Sequence, residues 1–244
     1  MIPFPTPNRR RVYLMRHGAV TYFDETGRPV VPETVPLNED GRKQATAAGQ
    51  TFAAENILFD RVIVSGLPRT VETAQRVLAE MPAMKARGVA LEQWPELQEI
   101  RGGKLAEIPE HELAQAFIGV FEGTVPDDRR FMNGESVGEF LDRVIPAIAR
   151  LRTLPDWDTV LLVLHGGTNR AILSHAITGG ERVFFGNLAQ TAGCINVLDV
   201  GDEPSDWVLR MSNFSPPSPA HLGSRLTTME VLLQQYLRYR DSAA

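Results

Sequence analysis

Cysteine is nearly absent from this chain: Cys194 is the only one among 244 residues. That count excludes an internal disulfide and agrees with a reducing compartment, and Cys194 itself reads as a small buried strand residue. Long apolar runs are also missing. The longest, Val160 to Leu164, is far too short to cross a bilayer. The opening MIPFPTPNRRR has no apolar core of the kind a secretory signal needs, so a cytoplasmic location is expected. Nor is there an excess of positive charge. With a formal net charge of -5, the chain has no general electrostatic reason to bind nucleic acid or an anionic membrane. Small molecules are the expected partners. Repeats, low-complexity tracts and linkers are absent too; only Ser215 to Pro219 is rich in Pro and Ser, and it reads as a surface loop.

What is present suits one large α/β domain over residues 1–244, with 43% hydrophobic residues to build its core. The apolar run Val12 to Met15, a helical pattern from about Asp40 to Asn56 and the run Arg61 to Ser65 make a βαβ rhythm. A helix over Pro68 to Met81 and a strand over Val89 to Gln93 follow. The stretch from Glu99 to Met132 is less regular and reads as a lid. From Glu135, apolar residues at Val137, Phe140, Leu141, Val144, Ile145, Ile148 and Leu151 keep helical spacing, with Pro146 expected to bend that helix. VLLVL lacks polar alternation, as a parallel strand buried on both faces does. Ile195 to Val200 and Trp207 to Met211 flank a turn and predict a hairpin. Thr227 and Glu230 make a capping box for a last amphipathic helix, which is expected to pack on the sheet.

Three strand ends carry the chemistry. Arg16 and His17 stand at the end of the first strand, where open α/β sheets place their ligands. His165 stands at the end of VLLVL, and Gly166 and Gly167 after it turn backbone N–H groups toward any anion above the sheet edge. Ser65 and Arg69 stand at the third. A lone histidine is most often structural, but two strand-end histidines with two arginines describe a phosphate pocket. Guanidinium groups can fork onto phosphoryl oxygens, and a neutral imidazole can take the phosphoryl group covalently. His17 is assigned that attack. The leaving oxygen then needs a proton from a carboxylic acid, and Glu96, Glu99 and Glu107 are all candidates by position.

These motifs resemble the histidine phosphatase superfamily, phosphoglycerate-mutase-like, branch 1. VYLMRHG, PLNEDGRKQA, VSGLPRTVETA, ELQEIRGG, GESVGEFLDRV and VLHGGTNRAIL resemble its blocks in chain order over most of the sequence. The resemblance implies a three-layer α/β/α fold with a doubly wound, mostly parallel sheet and a lid-like insertion near 100–134. It implies a phosphohistidine intermediate, no metal, no other cofactor, and Glu99 as the proton donor. Family habit adds a homodimer. Phe23 replaces the phosphate-touching Asn of many members, and Leu105, Ala106 and Glu107 stand where Trp-Glu-Gly is common. Arg129 and Arg130 resemble the paired arginines by which mutases hold a second anionic group; a solvated basic pair beside Asp127 and Asp128 is the other reading.

The remaining candidates read as structural. HELAQ at His111 lacks the second histidine of a zinc-protease helix, having Gln115 there. His175 faces away from the predicted pocket, and His221 lies in a Pro-rich loop. Ser65 is not in a G-x-S-x-G elbow and is expected to shape its loop or lie near phosphate. The function expected is therefore a phosphomonoester hydrolase acting on a small-molecule phosphate ester. A phosphoglycerate-mutase-type transferase and a non-catalytic binder of phosphorylated ligands are the alternatives. The short lid favours hydrolysis.

Overall fold

The computed structural model describes residues 8–24, 28–104, 107–216 and 225–243. His221, Leu105 and Ala106 lie outside the described residues. Six strands form one sheet in the order β3-β2-β4-β1-β5-β6. They are β1 (Arg10–Arg16), β2 (Arg61–Val64), β3 (Leu91–Gln93), β4 (Thr159–Leu164), β5 (Ile195–Val200) and β6 (Trp207–Phe214). The pairs β2–β3, β2–β4 and β1–β4 are parallel, while β5 runs antiparallel to both β1 and β6. The sheet is thus mostly parallel, and β5–β6 is the expected hairpin.

The helices are α1 (Glu39–Ala54), α2 (Pro68–Ala79), α3 (Pro82–Arg87), α4 (Leu113–Ile118), α5 (Val137–Thr153), α6 (Gly166–Ile177) and α7 (Thr228–Ala243). Alternating strand residues sort into two cores, which makes three layers. Val12, Leu14, Ile63, Val160, Leu162 and Leu164 meet α5 and α6 on one face. Tyr13, Met15, Val62, Val64, Leu161 and Val163 meet α1 and α2 on the other. Strands buried on both faces need no polar alternation, which is why VLLVL reads as it does. Cys194 is buried immediately before β5, and burial pushes its thiol up to about 11.

Local signals set the element ends. Asn38 caps α1 by accepting from Gly41 N at 2.9 Å, and Ser136 with Glu139 forms a reciprocal capping box at the start of α5. Pro146 does not end α5, which runs on to Thr153. One expectation is corrected. The Thr227–Glu230 box does open α7, but α7 packs chiefly against α4 rather than along the sheet. Its Leu233 and Tyr236 join Ile108, Leu113 and Phe117 in a third apolar cluster, with Tyr236 stacked on Phe117 at 5.8 Å. Among the described residues no helix is long and apolar enough to cross a membrane.

Candidate active site

Arg16 is the last residue of β1, and the loop after it is fixed at each backbone N–H. His17 N donates to Leu164 O at 2.9 Å, Gly18 N to Thr73 Oγ1 at 3.1 Å and Ala19 N to Gln44 Oε1 at 2.8 Å. Glycine is required here by proximity: a Cβ on Gly18 would lie 2.3 Å from Gly41 O, and one on Gly41 would lie 2.1 Å from Ala19 O. The loop therefore sits directly on the first turn of α1.

The buried His17 ring has its Nδ1 at 2.7 Å from the Gly18 carbonyl. A carbonyl only accepts, so Nδ1 carries the proton and Nε2 keeps its lone pair. Burial, then the charges of Arg69 and Arg16, hold this imidazole well below its ordinary value, so it stays neutral and nucleophilic at neutral pH. His165 lies beside it, with ring centroids 5.2 Å apart. Its Nε2 is 2.7 Å from Ser65 Oγ. Burial, the charges of Arg69, Arg16 and Arg143, and the neighbouring His17 ring lower His165 as well.

Around these rings the arginines leave nitrogens open. Arg16 is held at one end by Gln190 O and, at 3.1 Å, by Thr228 Oγ1 of α7; Arg69 Nη1 donates to Pro32 O at 2.6 Å. Yet Arg16 Nε, Arg69 Nε, His165 Nδ1 and Arg170 Nε are buried without partners, and among the described residues they are the only buried side-chain polar atoms in that condition. Each orphaned donor costs about 1–3 kcal/mol. Arg170 was not anticipated from the sequence. Its Nη1 and Arg16 Nε would lie 3.2 and 3.5 Å from a Cβ on Gly166, and its guanidinium sits 4.9 Å from the Phe121 ring centroid. Burial, reinforced by Arg16, pushes Arg170 down to about 10, which still leaves it charged at neutral pH.

The structure distinguishes the three carboxylates. Glu99 Oε2 accepts from Gly167 N at 2.9 Å, at the N-terminus of α6 and two residues from His165. Gly167 has no room for a Cβ, which would lie 2.3 Å from Glu99 Oε1. Glu96 instead pairs with Arg150 at 2.9 Å, and the exposed Glu107 pairs with Lys104 at 3.1 Å.

A model of the histidine phosphatase superfamily, branch 1, matches residues 12–214. The chain belongs to that superfamily. A probable phosphoglycerate mutase of Serratia proteamaculans is 32% identical over 164 residues, covering 64% of this chain and 69% of the relative. The 6-phosphofructo-2-kinase/fructose-2,6-bisphosphatase of Gallus gallus is 29% identical over 168 residues, 68% of this chain but only 32% of the relative's length. The chain thus spans about a third of that longer protein. Among solved structures, mycobacterial hydrolase 1 aligns with a TM-score of 0.65 and 25% identity over 85% of this chain and 99% of the other. A mycobacterial glucosyl-3-phosphoglycerate phosphatase with inorganic phosphate shares the fold, with a TM-score of 0.64 and 23% identity over 85% and 98%.

As a member of the histidine phosphatase superfamily, with its phosphoglycerate-mutase-like fold, the chain brings Arg16, His17, Arg69, His165, Gly166 and Glu99 together. The structure corrects other expectations. Arg130 turns away to Gly134 O, at 2.7 Å in the turn before α5, and to Glu139 in the first turn of α5. Arg129 is half-buried; its backbone donates to Pro126 O at 3.1 Å and accepts from Val137 N at 2.9 Å, while its side chain makes no hydrogen bond or ion pair among the described residues. Phe23 packs on the apolar cluster between α4 and α7, a setting that suits an aromatic ring better than a polar pocket does. His111 and His175 stand apart from the site as the sequence reading has them, His111 exposed on a turn over Glu110–Glu112 and His175 tied to the Glu181 carbonyl at 2.9 Å.

Proposed function

We propose that the protein is a phosphomonoester hydrolase that acts on a small phosphorylated metabolite through a phosphohistidine on His17. One observation carries the reading: of four buried side chains with a nitrogen lacking a partner, Arg16, Arg69 and His165 border a neutral imidazole whose Nε2 is free, and Arg170 lies beside Arg16. Three cationic side chains and an imidazole donor match the oxygens of a phosphoryl group. In this reading the Ser65 hydroxyl donates to His165 Nε2, 2.7 Å away, which puts the ring proton on Nδ1, where it is available to a phosphoryl oxygen.

In the first step the His17 Nε2 lone pair forms the N–P bond while the ester P–O bond breaks. The leaving oxygen keeps that electron pair and takes the proton of the Glu99 carboxyl. The arginines and His165 stabilise the charge spread over the equatorial oxygens. In the second, water attacks phosphorus, the Glu99 carboxylate takes its proton, and the N–P electrons return to Nε2. Inorganic phosphate leaves and the site is restored.

The test is release of inorganic phosphate from a broad panel of phosphate esters in EDTA, comparing the parent with His17→Ala. We expect release by the parent and background in the variant, with an acid-labile phosphoenzyme trapped only on the parent. The mutase-named relative gives a second reading its ground, so isomerisation of phosphoglycerate is assayed alongside; isomerisation without release would establish it. Phosphate-ester binding with neither reaction would establish a binder.

A further inference from the structure

The turn that carries Glu99 is gripped from another element. Arg143 of α5 uses its guanidinium fully. Nε and Nη2 donate to the two Glu135 carboxylate oxygens at 2.7 and 2.8 Å; Nη1 donates to the carbonyls of Glu96 and Gln98 at 2.8 and 2.7 Å; Nη2 also donates to that of Glu99 at 2.9 Å. Five N–H groups thus make five bonds. The Arg143 and Glu135 side chains are only 15% and 9% exposed, and the Phe140 ring lies 4.8 Å from the guanidinium. Glu135 extends the clamp by accepting from Arg101 N at 2.9 Å, while its own N–H donates to Arg101 O at 2.8 Å.

Three carbonyls in one turn, all pointed at one planar fork, are a geometric demand that lysine cannot meet. A shielded bidentate pair is weak evidence of stability in itself. What this one accomplishes is spatial: the backbone on both sides of Glu99 is fixed, and the Glu99 carboxylate reaches the first turn of α6 beside His165. The Arg143 charge also reaches His165 and helps keep it neutral.

We propose that Arg143, locked by Glu135, is a positioning residue for the proton transfer, acting through Glu99. This rests on the reading of Glu99 as the acid. A donor matters most when the leaving oxygen is a poor leaving group, so the role predicts selectivity between esters as well as loss of rate. Arg143→Lys in the full chain is compared with the parent on p-nitrophenyl phosphate and on an alkyl phosphate. The measure is kcat/KM, which reports the steps through phosphoryl transfer to His17.

We expect kcat/KM to fall about tenfold or more on the alkyl ester and by less than about threefold on the aryl ester. In a Glu99→Gln background, Arg143→Lys should cause no further loss on the alkyl ester, since residues acting as one unit are not additive. Equal loss on both esters, additive loss in that background, or no loss overturns the proposal. Failure of the Glu99 reading shows separately, as a Glu99→Gln enzyme that does not discriminate between the esters. If Arg143→Lys does not fold by circular dichroism, Glu135→Gln loosens the same fork and carries the same comparison.

Discussion

Ser65 Oγ lies 2.7 Å from His165 Nε2 and 3.1 Å from Thr70 Oγ1; when Thr70 turns its proton to Ser65 rather than to Leu67 O, 2.8 Å away, the Ser65 proton is left for His165 Nε2. The single proton on Ser65 therefore selects the tautomer of His165. Ser65→Ala should lower kcat/KM about tenfold, the equivalent of ~1.4 kcal/mol in the barrier, with a circular dichroism spectrum like the parent's. A change below twofold would remove Ser65 from the account. At this scale the sequence was legible where a residue sits at a strand end, as Arg16, His17 and His165 do. Arg170 had a readable signal: it lies four residues after Gly166, one turn along the same face of α6 and leaning back toward its N-terminus. Arg143 had none. Its partners are carbonyls of an irregular turn, and no residue pattern marks where a carbonyl will point.

Elements were legible where periodicity and caps agree, as in α1, α5 and the parallel strands. The partner of α7 was not, because an amphipathic stripe records that a face is buried and not against what. α4 supplies that face, so the cluster of Phe117, Leu233 and Tyr236 depends on two segments far apart in sequence. α1 presents the reverse case, a contact made of missing side chains. Gly41→Ala would push a Cβ to 2.1 Å from the Ala19 carbonyl, and backbone atoms cannot yield as a flexible side chain can. The expected cost is about 1–3 kcal/mol, read as a lowered denaturant midpoint, together with reduced kcat as the His17 loop is displaced. An unchanged midpoint would mean that the loop and helix separate freely.

At the scale of the molecule, the two buried histidines tie stability to pH. Both are lowered in the folded state. Above the ordinary imidazole value of about 6.5 neither state holds the extra proton, and their contribution is fully present. Below it the unfolded chain takes up protons that the folded site refuses, so stability falls as pH falls, until the folded values are reached. Each histidine contributes a slope of up to about 1.4 kcal/mol per pH unit in that window. Urea unfolding between about pH 7.5 and 5.5 should show this decline, and His17→Gln should make it shallower. Identical slopes in parent and variant would contradict the lowered imidazole.

The position of β1 bears on how the molecule is made. Val12 pairs with Val160 on one side and with Leu198 on the other, so the strand that carries Arg16 is synthesised long before either neighbour leaves the ribosome. An apolar strand without its ladder is exposed to wrong pairings during that wait, and assembly through such distant contacts is slow. Arg16 and His17 are thus translated long before the strands that fix them and are among the last residues to be brought into place.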